Sequence, residues 1–172
     1  MKKHFILSCI LSLLIIGFSS SVYAQAKKKA DKDTEAWRYE IEVMQTGTEG
    51  TYLIKVFSYS KKPDVATEQA KKNAVHGIIF QGFAGKQGIP GKPALAPVNL
   101  EQEKGEFFES FFKDGGKYMK FVSLSTDGAV AAEDRMKIGK EYKVGVIVSV
   151  NVAALRKDLE DAGIIKALGA GF

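Results

Sequence analysis

Three features of this sequence predict an α+β fold: a mostly antiparallel sheet of about five strands, with helices packed on one face. Tyr142, Val144, Val146, Val148 and Val150 alternate with Lys143, Gly145, Ile147, Ser149 and Asn151, the two-residue period of a strand whose heavier apolar face meets a core. Trp37, Tyr39, Ile41 and Val43 alternate in the same way with Arg38, Glu40, Glu42 and Met44, a half-buried strand with one wet face. Between the two, Ala66, Ala70, Ala74, Gly77 and Ile78 recur at spacings of three and four, a helical stripe small enough to lie close on a sheet.

In chain order, the first strand is followed by Thr46-Gly47-Thr48-Glu49-Gly50, which carries turn chemistry, and then by Thr51–Ser60, rich in β-branched and aromatic residues. The pair reads as a hairpin. Its second strand is apolar on both faces, so it belongs inside the sheet. Pro63 and Asp64 suit the first turn of a helix, which Ala66 to Ile79 continues; Val75 and Ile79 fall off the small-residue stripe, so the last turn should be buried all round.

Residues 82–97 form a long loop that starts with four consecutive Gly-X-Y triplets from Gly82 to Pro93. Four triplets are too few for a collagen helix, so the expectation is an extended, partly polyproline-like surface loop. A loop of this length is a candidate binding element. From Leu100 a second helix is expected, with Phe107, Phe108, Phe111 and Phe112 spread over one broad face and Asp114-Gly115-Gly116 as its stop. Four phenylalanines at this spacing make a core plug or, if exposed, an apolar contact patch.

Lys117–Ser125 and Ala129–Ile138 read as two further strands joined by Thr126-Asp127-Gly128. After the long strand, Asn151 is placed as N-cap of a helix with Leu155, Leu159 and Ala162 on one side. Gly163 is its left-handed stop, which brings Ile164 back onto Leu159. The order is therefore ββααβββα, and runs of neighbouring strands favour antiparallel pairing.

The termini and the charge place this domain in a compartment. Met1-Lys2-Lys3-His4, an apolar run from Phe5 to Phe18 and small residues ending in Val22-Tyr23-Ala24 have the three regions of a secretory signal peptide, with cleavage expected after Ala24. Cys9 lies too early in the apolar run to be a lipidation site. Residues 25–35 read as a basic flexible tether and 36–172 as one α+β domain. The formal charge of +5 comes from Lys2 and Lys3 and from Lys27, Lys28, Lys29 and Lys32 against Asp31. From Asp33 onward the charges balance, so nucleic acid is not an expected partner, and the short glycine loop Gly82-Phe83-Ala84-Gly85 is not read as an RNA-binding loop. The tether lysines offer a peripheral membrane or cell-wall contact.

Catalytic signatures are sparse. Beyond the leader the chain has one histidine, His76, and no cysteine, so a zinc site or thiol chemistry has little to draw on. Acid pairs are present at Glu40/Glu42, Glu106/Glu109 and Glu133/Asp134, the first on the wet face of its strand and the second on the flank of a helix, and no nucleophile elbow, phosphate loop or calcium loop is present. No cofactor is implied.

The hairpin, the helix with Ala66, Ala70 and Ala74, and the valine-rich strand running into Asn151-Val152-Ala153-Ala154-Leu155-Arg156-Lys157 together resemble small bacterial envelope proteins. The nearest group is the family of small secreted lipoproteins related to the N-terminal domain of the flagellar outer-membrane-associated T protein. This resemblance implies an exported module that works by association, without a cofactor. The expected function is thus non-enzymatic binding or assembly in the periplasm or envelope with a protein partner. Phe83, Lys86, Ile89 and Lys92 on the loop and Phe107, Phe108, Phe111 and Phe112 on the helix are the candidate contact residues. The alternatives are a hydrolase of envelope polymers using Glu106 or Glu109 with His76, and a carrier of small apolar ligands built around the phenylalanines.

Overall fold

A computed structural model of the chain describes residues 37–86, 88–125 and 128–167. The expected signal peptide, Cys9 and the lysines of the tether lie outside the described residues.

Strands β1 (Tyr39–Thr46) and β2 (Thr51–Ser60) form the expected hairpin, with a bulge between Val43 and Gln45. The turn is closed by Gly47 N–H to Thr51 O and Thr51 N–H to Thr48 O, at 2.7 and 3.0 Å. β2 is an inner strand: its second neighbour is the long strand β5 (Glu141–Asn151), in the register Val56 opposite Val146. The far side of β5 is covered in two pieces. Strand β3 (Val122–Leu124) pairs with it at Val150 to Val148, and β4 (Arg135–Ile138) at Val144 to Glu141. All pairings are antiparallel, and the fold is α+β.

Helix α1 (Pro63–Phe80) lies across the sheet and is buried along nearly its whole length. One side meets the strands: Asn73 Nδ2 donates to Ser58 Oγ at 2.8 Å, and a Cβ on Gly77 would come within 2.1 Å of Ile41 Cδ1. Its other side meets an aromatic layer, where the Phe80 ring stands edge-on to Phe108. Val75 and Ile79 are fully buried, as the all-round burial of the last turn requires. Each such side chain contributes about 1.5–3 kcal/mol on leaving water.

The expected single helix from Leu100 is two short ones, α2 (Asn99–Glu103) and α3 (Gly105–Phe112). Lys104 leaves helical geometry at φ −115°, ψ 36°, next to a glycine that favours a break. Phe108, Phe111 and Phe112 are buried and Phe107 half-buried, so the phenylalanine face is core with one ring at its margin.

Two expected strands are shortened for identifiable reasons. Lys117–Phe121 is a 3-10 turn, with only Val122–Leu124 extended. Tyr118 and Phe121 are three apart, so a three-residue turn sends both rings to one side, whereas a strand would send them to opposite faces. Both are buried, against Phe112 and Phe111 respectively. In the next segment Ala132–Asp134 is also a 3-10 turn. It delivers the buried Asp134 carboxylate to Lys55 Nζ at 2.7 and 2.8 Å, and the strand starts only at Arg135.

Helix α4 (Val152–Asp161) begins and ends as its sequence predicts. Asn151 Oδ1 accepts from Ala154 N–H at 2.9 Å; Gly163 has φ 67°, and Ile164 N–H returns to Leu159 O at 2.9 Å. Leu155 and Leu159 are fully buried, but Ala162 is exposed because the helix has already ended there.

Candidate functional site

The glycine-rich loop is a miniature β-hairpin and not a polyproline-like excursion. Phe83 and Lys92 exchange both backbone hydrogen bonds at 2.9 and 3.0 Å, and Lys86 and Ile89 do so at 3.0 Å. Each glycine answers a different demand. Gly82, with φ 68°, ends α1, and Gly88, with φ 82°, sits in the hairpin turn. Gly85 and Gly91 face each other so closely that a Cβ on either would lie 2.8 Å from the other's backbone nitrogen. Collagen's three-residue spacing is a coincidence of these four requirements.

The candidate contact residues on this hairpin divide. The Phe83 ring is buried against Tyr52, and Ile89 is half-buried against the core. Lys86 and Lys92 are exposed, Lys86 paired with Glu42 of β1 at 2.7 Å and Lys92 over the Tyr52 ring. On α3 the surface expectation is corrected: Phe108, Phe111 and Phe112 pack against one another and against Phe80, Phe121 and Tyr118, leaving only Phe107 partly at the surface.

His76 belongs to a trio that the sequence did not reveal. Tyr39 Oη lies 2.6 Å from His76 Nδ1, and both Glu101 carboxylate oxygens lie 3.2 Å from Nε2. A carboxylate accepts only, so in the neutral ring Nε2–H donates to Glu101 and Nδ1 accepts from the Tyr39 hydroxyl. The Trp37 ring covers one imidazole face at a centroid separation of 3.6 Å. Trp37 itself has φ 44°, a left-handed conformation that costs a non-glycine residue about 1–2 kcal/mol and is held here by the stack.

The order tyrosine, histidine, glutamate is that of a nucleophile, a base and an orienting acid, but its environment works against that chemistry. The His76 side chain is 5% exposed, and burial lowers its pKa despite the opposing pull of Glu101. Burial, assisted by the Glu101 charge, pushes the Tyr39 phenol above the ordinary tyrosine range. Its hydroxyl is engaged by Nδ1 and sealed in the core. Glu106 and Glu109, the acids expected to work with His76, are exposed on α3, and the carboxylate that reaches the imidazole is Glu101. Glu101 lies in a helix of only five residues, too short to carry a period from which that contact could be read.

The outer face of the sheet carries a second polar array. Glu40 accepts from Tyr59 Oη and from Lys143 Nζ, which lower its pKa, and Arg38 forks onto Glu141 at 2.8 and 3.3 Å. The Lys143 ammonium also lies 4.6 Å from the Phe57 ring centroid, and that ring covers Gly145. These cations and anions neutralise each other, so this is a solvated sheet face without an unmatched charge.

One depression is different. An open concavity of about 460 Å³ beside the end of α3 is lined by Lys113, Lys117 and Lys120 with Ser110 and Met119, and no carboxylate lines it. Lys117 bridges to Asp158 at 2.7 Å; among the described residues Lys113 and Lys120 have no acidic partner. Met119 is exposed at 42% in the middle of this basic rim.

Among the described residues there is no group of three or more His, Cys, Asp or Glu that could hold a metal ion, and no helix is long and apolar enough to cross a membrane. Comparison with protein families, with characterised proteins and with solved structures found no match to this chain.

Proposed function

We propose that this protein is an exported, non-enzymatic binding or assembly module of the cell envelope. The observation that carries this reading is the closure of the Tyr39–His76–Glu101 trio. Its members have the functional groups of an acid–base site, yet they are joined to one another inside the core, where they hold β1, α1 and α2 together. What remains for contact with other molecules is surface: the Lys86 and Lys92 side of the small hairpin, the margin at Phe107, and the basic depression after α3. Export is supported by the three-part pattern of residues 1–24.

Intact-cell photocrosslinking tests the proposal, with a photoreactive amino acid placed in turn at Lys86, Phe107, Lys113 and Lys120 and at the exposed Lys137 of β4 as a control. Discrete adducts in the envelope fraction, confined to some of these positions, are expected. Recovery of the protein without adducts from the cytoplasm, with residues 1–24 still attached, would overturn it.

A further inference from the structure

We infer that the basic depression after α3 docks the protein onto an anionic phospholipid surface. The inference rests on the envelope reading, because it requires the protein to meet a membrane. Two observations lead to it.

The first is the chemistry of the rim. Lys113, Lys117 and Lys120 surround a concavity that contains no carboxylate, and two of the three lack an acidic partner among the described residues. Several exposed cations elsewhere are matched, among them Lys86 with Glu42, Lys143 with Glu40, Arg38 with Glu141 and Lys157 with Asp161, whereas the depression gathers three lysines around one concavity. Unmatched positive charge in one place selects a negative partner.

The second is Met119. It is a large apolar side chain, 42% exposed, set among ammonium groups. A soluble polyanion has no use for it. A bilayer does: phosphates at the headgroup level meet the lysines, while the flexible thioether chain enters the boundary with the acyl region.

The test is co-sedimentation of the purified full chain, its amino terminus read by mass spectrometry, with vesicles of phosphatidylcholine alone or mixed with phosphatidylglycerol. Binding is expected only to the mixed vesicles and should weaken as salt rises. The double variant Lys113→Glu/Lys120→Glu should lose about tenfold or more in affinity. Met119→Ser should lose about threefold. All three side chains are exposed, so both variants should melt as the parent does, and the melt is the control for folding. Equal binding to both vesicle types overturns the inference, as does unchanged binding by the double variant. Displacement by inorganic phosphate at matched ionic strength also overturns it, by making the depression a site for free anions. Cell fractionation keeps the two readings apart: an exported protein that ignores vesicles defeats this inference alone, whereas a cytoplasmic protein that binds them defeats the envelope reading.

Discussion

Trp37 lies flat on His76, with ring centroids 3.6 Å apart and planes 15° from parallel. The chain has a single tryptophan, so its fluorescence reports on this one imidazole. Burial lowers the His76 pKa from its ordinary value of 6.5, with Glu101 opposing the shift. As pH falls, the unfolded chain therefore takes up the proton first, and in that window it binds more protons than the folded state. The contribution of the neutral ring to stability is complete above pH 6.5 and is lost as pH falls toward and through the folded-state value. The melting temperature should be level above that pH and decline below it, before carboxylates titrate at about pH 4–5. Trp37 fluorescence of the folded protein should be quenched only at lower pH, as the stacked ring itself protonates. His76→Gln should remove both responses; a decline of equal slope in the variant would refute the assignment.

Tyr39→Phe removes the hydroxyl that satisfies His76 Nδ1 and leaves that nitrogen buried without a partner. A loss of about 1–3 kcal/mol is expected in urea unfolding. Tyr59→Phe is the matched comparison, since its hydroxyl serves Glu40 on the solvated face, where water can replace it. Its cost should be about 1 kcal/mol or less. Equal losses would show that the trio is no more buried than the sheet surface.

The four glycines of the small hairpin should respond unequally to alanine. Gly85→Ala and Gly91→Ala force a methyl against backbone atoms of the opposing strand at 2.6 and 2.8 Å, which no side-chain rotation relieves. Each should cost about 1–3 kcal/mol. Gly88→Ala meets open space and bears only the strain of φ 82°, about 1 kcal/mol. Thermal melts of the three variants rank them. A uniform effect would favour a collagen-like role for the repeat over a hairpin.

Phe108→Ala should destabilise by about 3–5 kcal/mol, because a buried ring is removed from the stack under Phe80 and Phe111. Phe107→Ala, at the margin of the same helix, should cost well under half as much. Denaturant midpoints decide between them; the reverse order would return the phenylalanine face to the surface.

The sheet hairpin, the small-residue helix α1 and the run from β5 into α4 were legible in the sequence because their signals are local. Alternation records which face is buried, Asn151 caps the helix from within three residues, and Gly163 supplies the left-handed stop. These properties depend on the segment itself and survive without knowledge of what it packs against. The candidate site was legible only in part. Lys86 and Lys92 are exposed as expected, but Phe83 and most of the α3 phenylalanines went into the core, since an aromatic at helical spacing fits either outcome until a neighbour claims it.

What the tertiary structure alone decided are the contacts between remote residues. Glu101 meets His76 across 25 positions, and Asp134 meets Lys55 across 79. Neither pair belongs to a period that a window of sequence could register. The same holds for Tyr118 and Phe121, whose spacing of three became a 3-10 turn because Phe111 and Phe112 lay on one side to receive both rings. Local pattern specifies that a face must be buried. Only the packed chain specifies which atoms it is buried against, and in this protein those atoms turned His76 into part of the core.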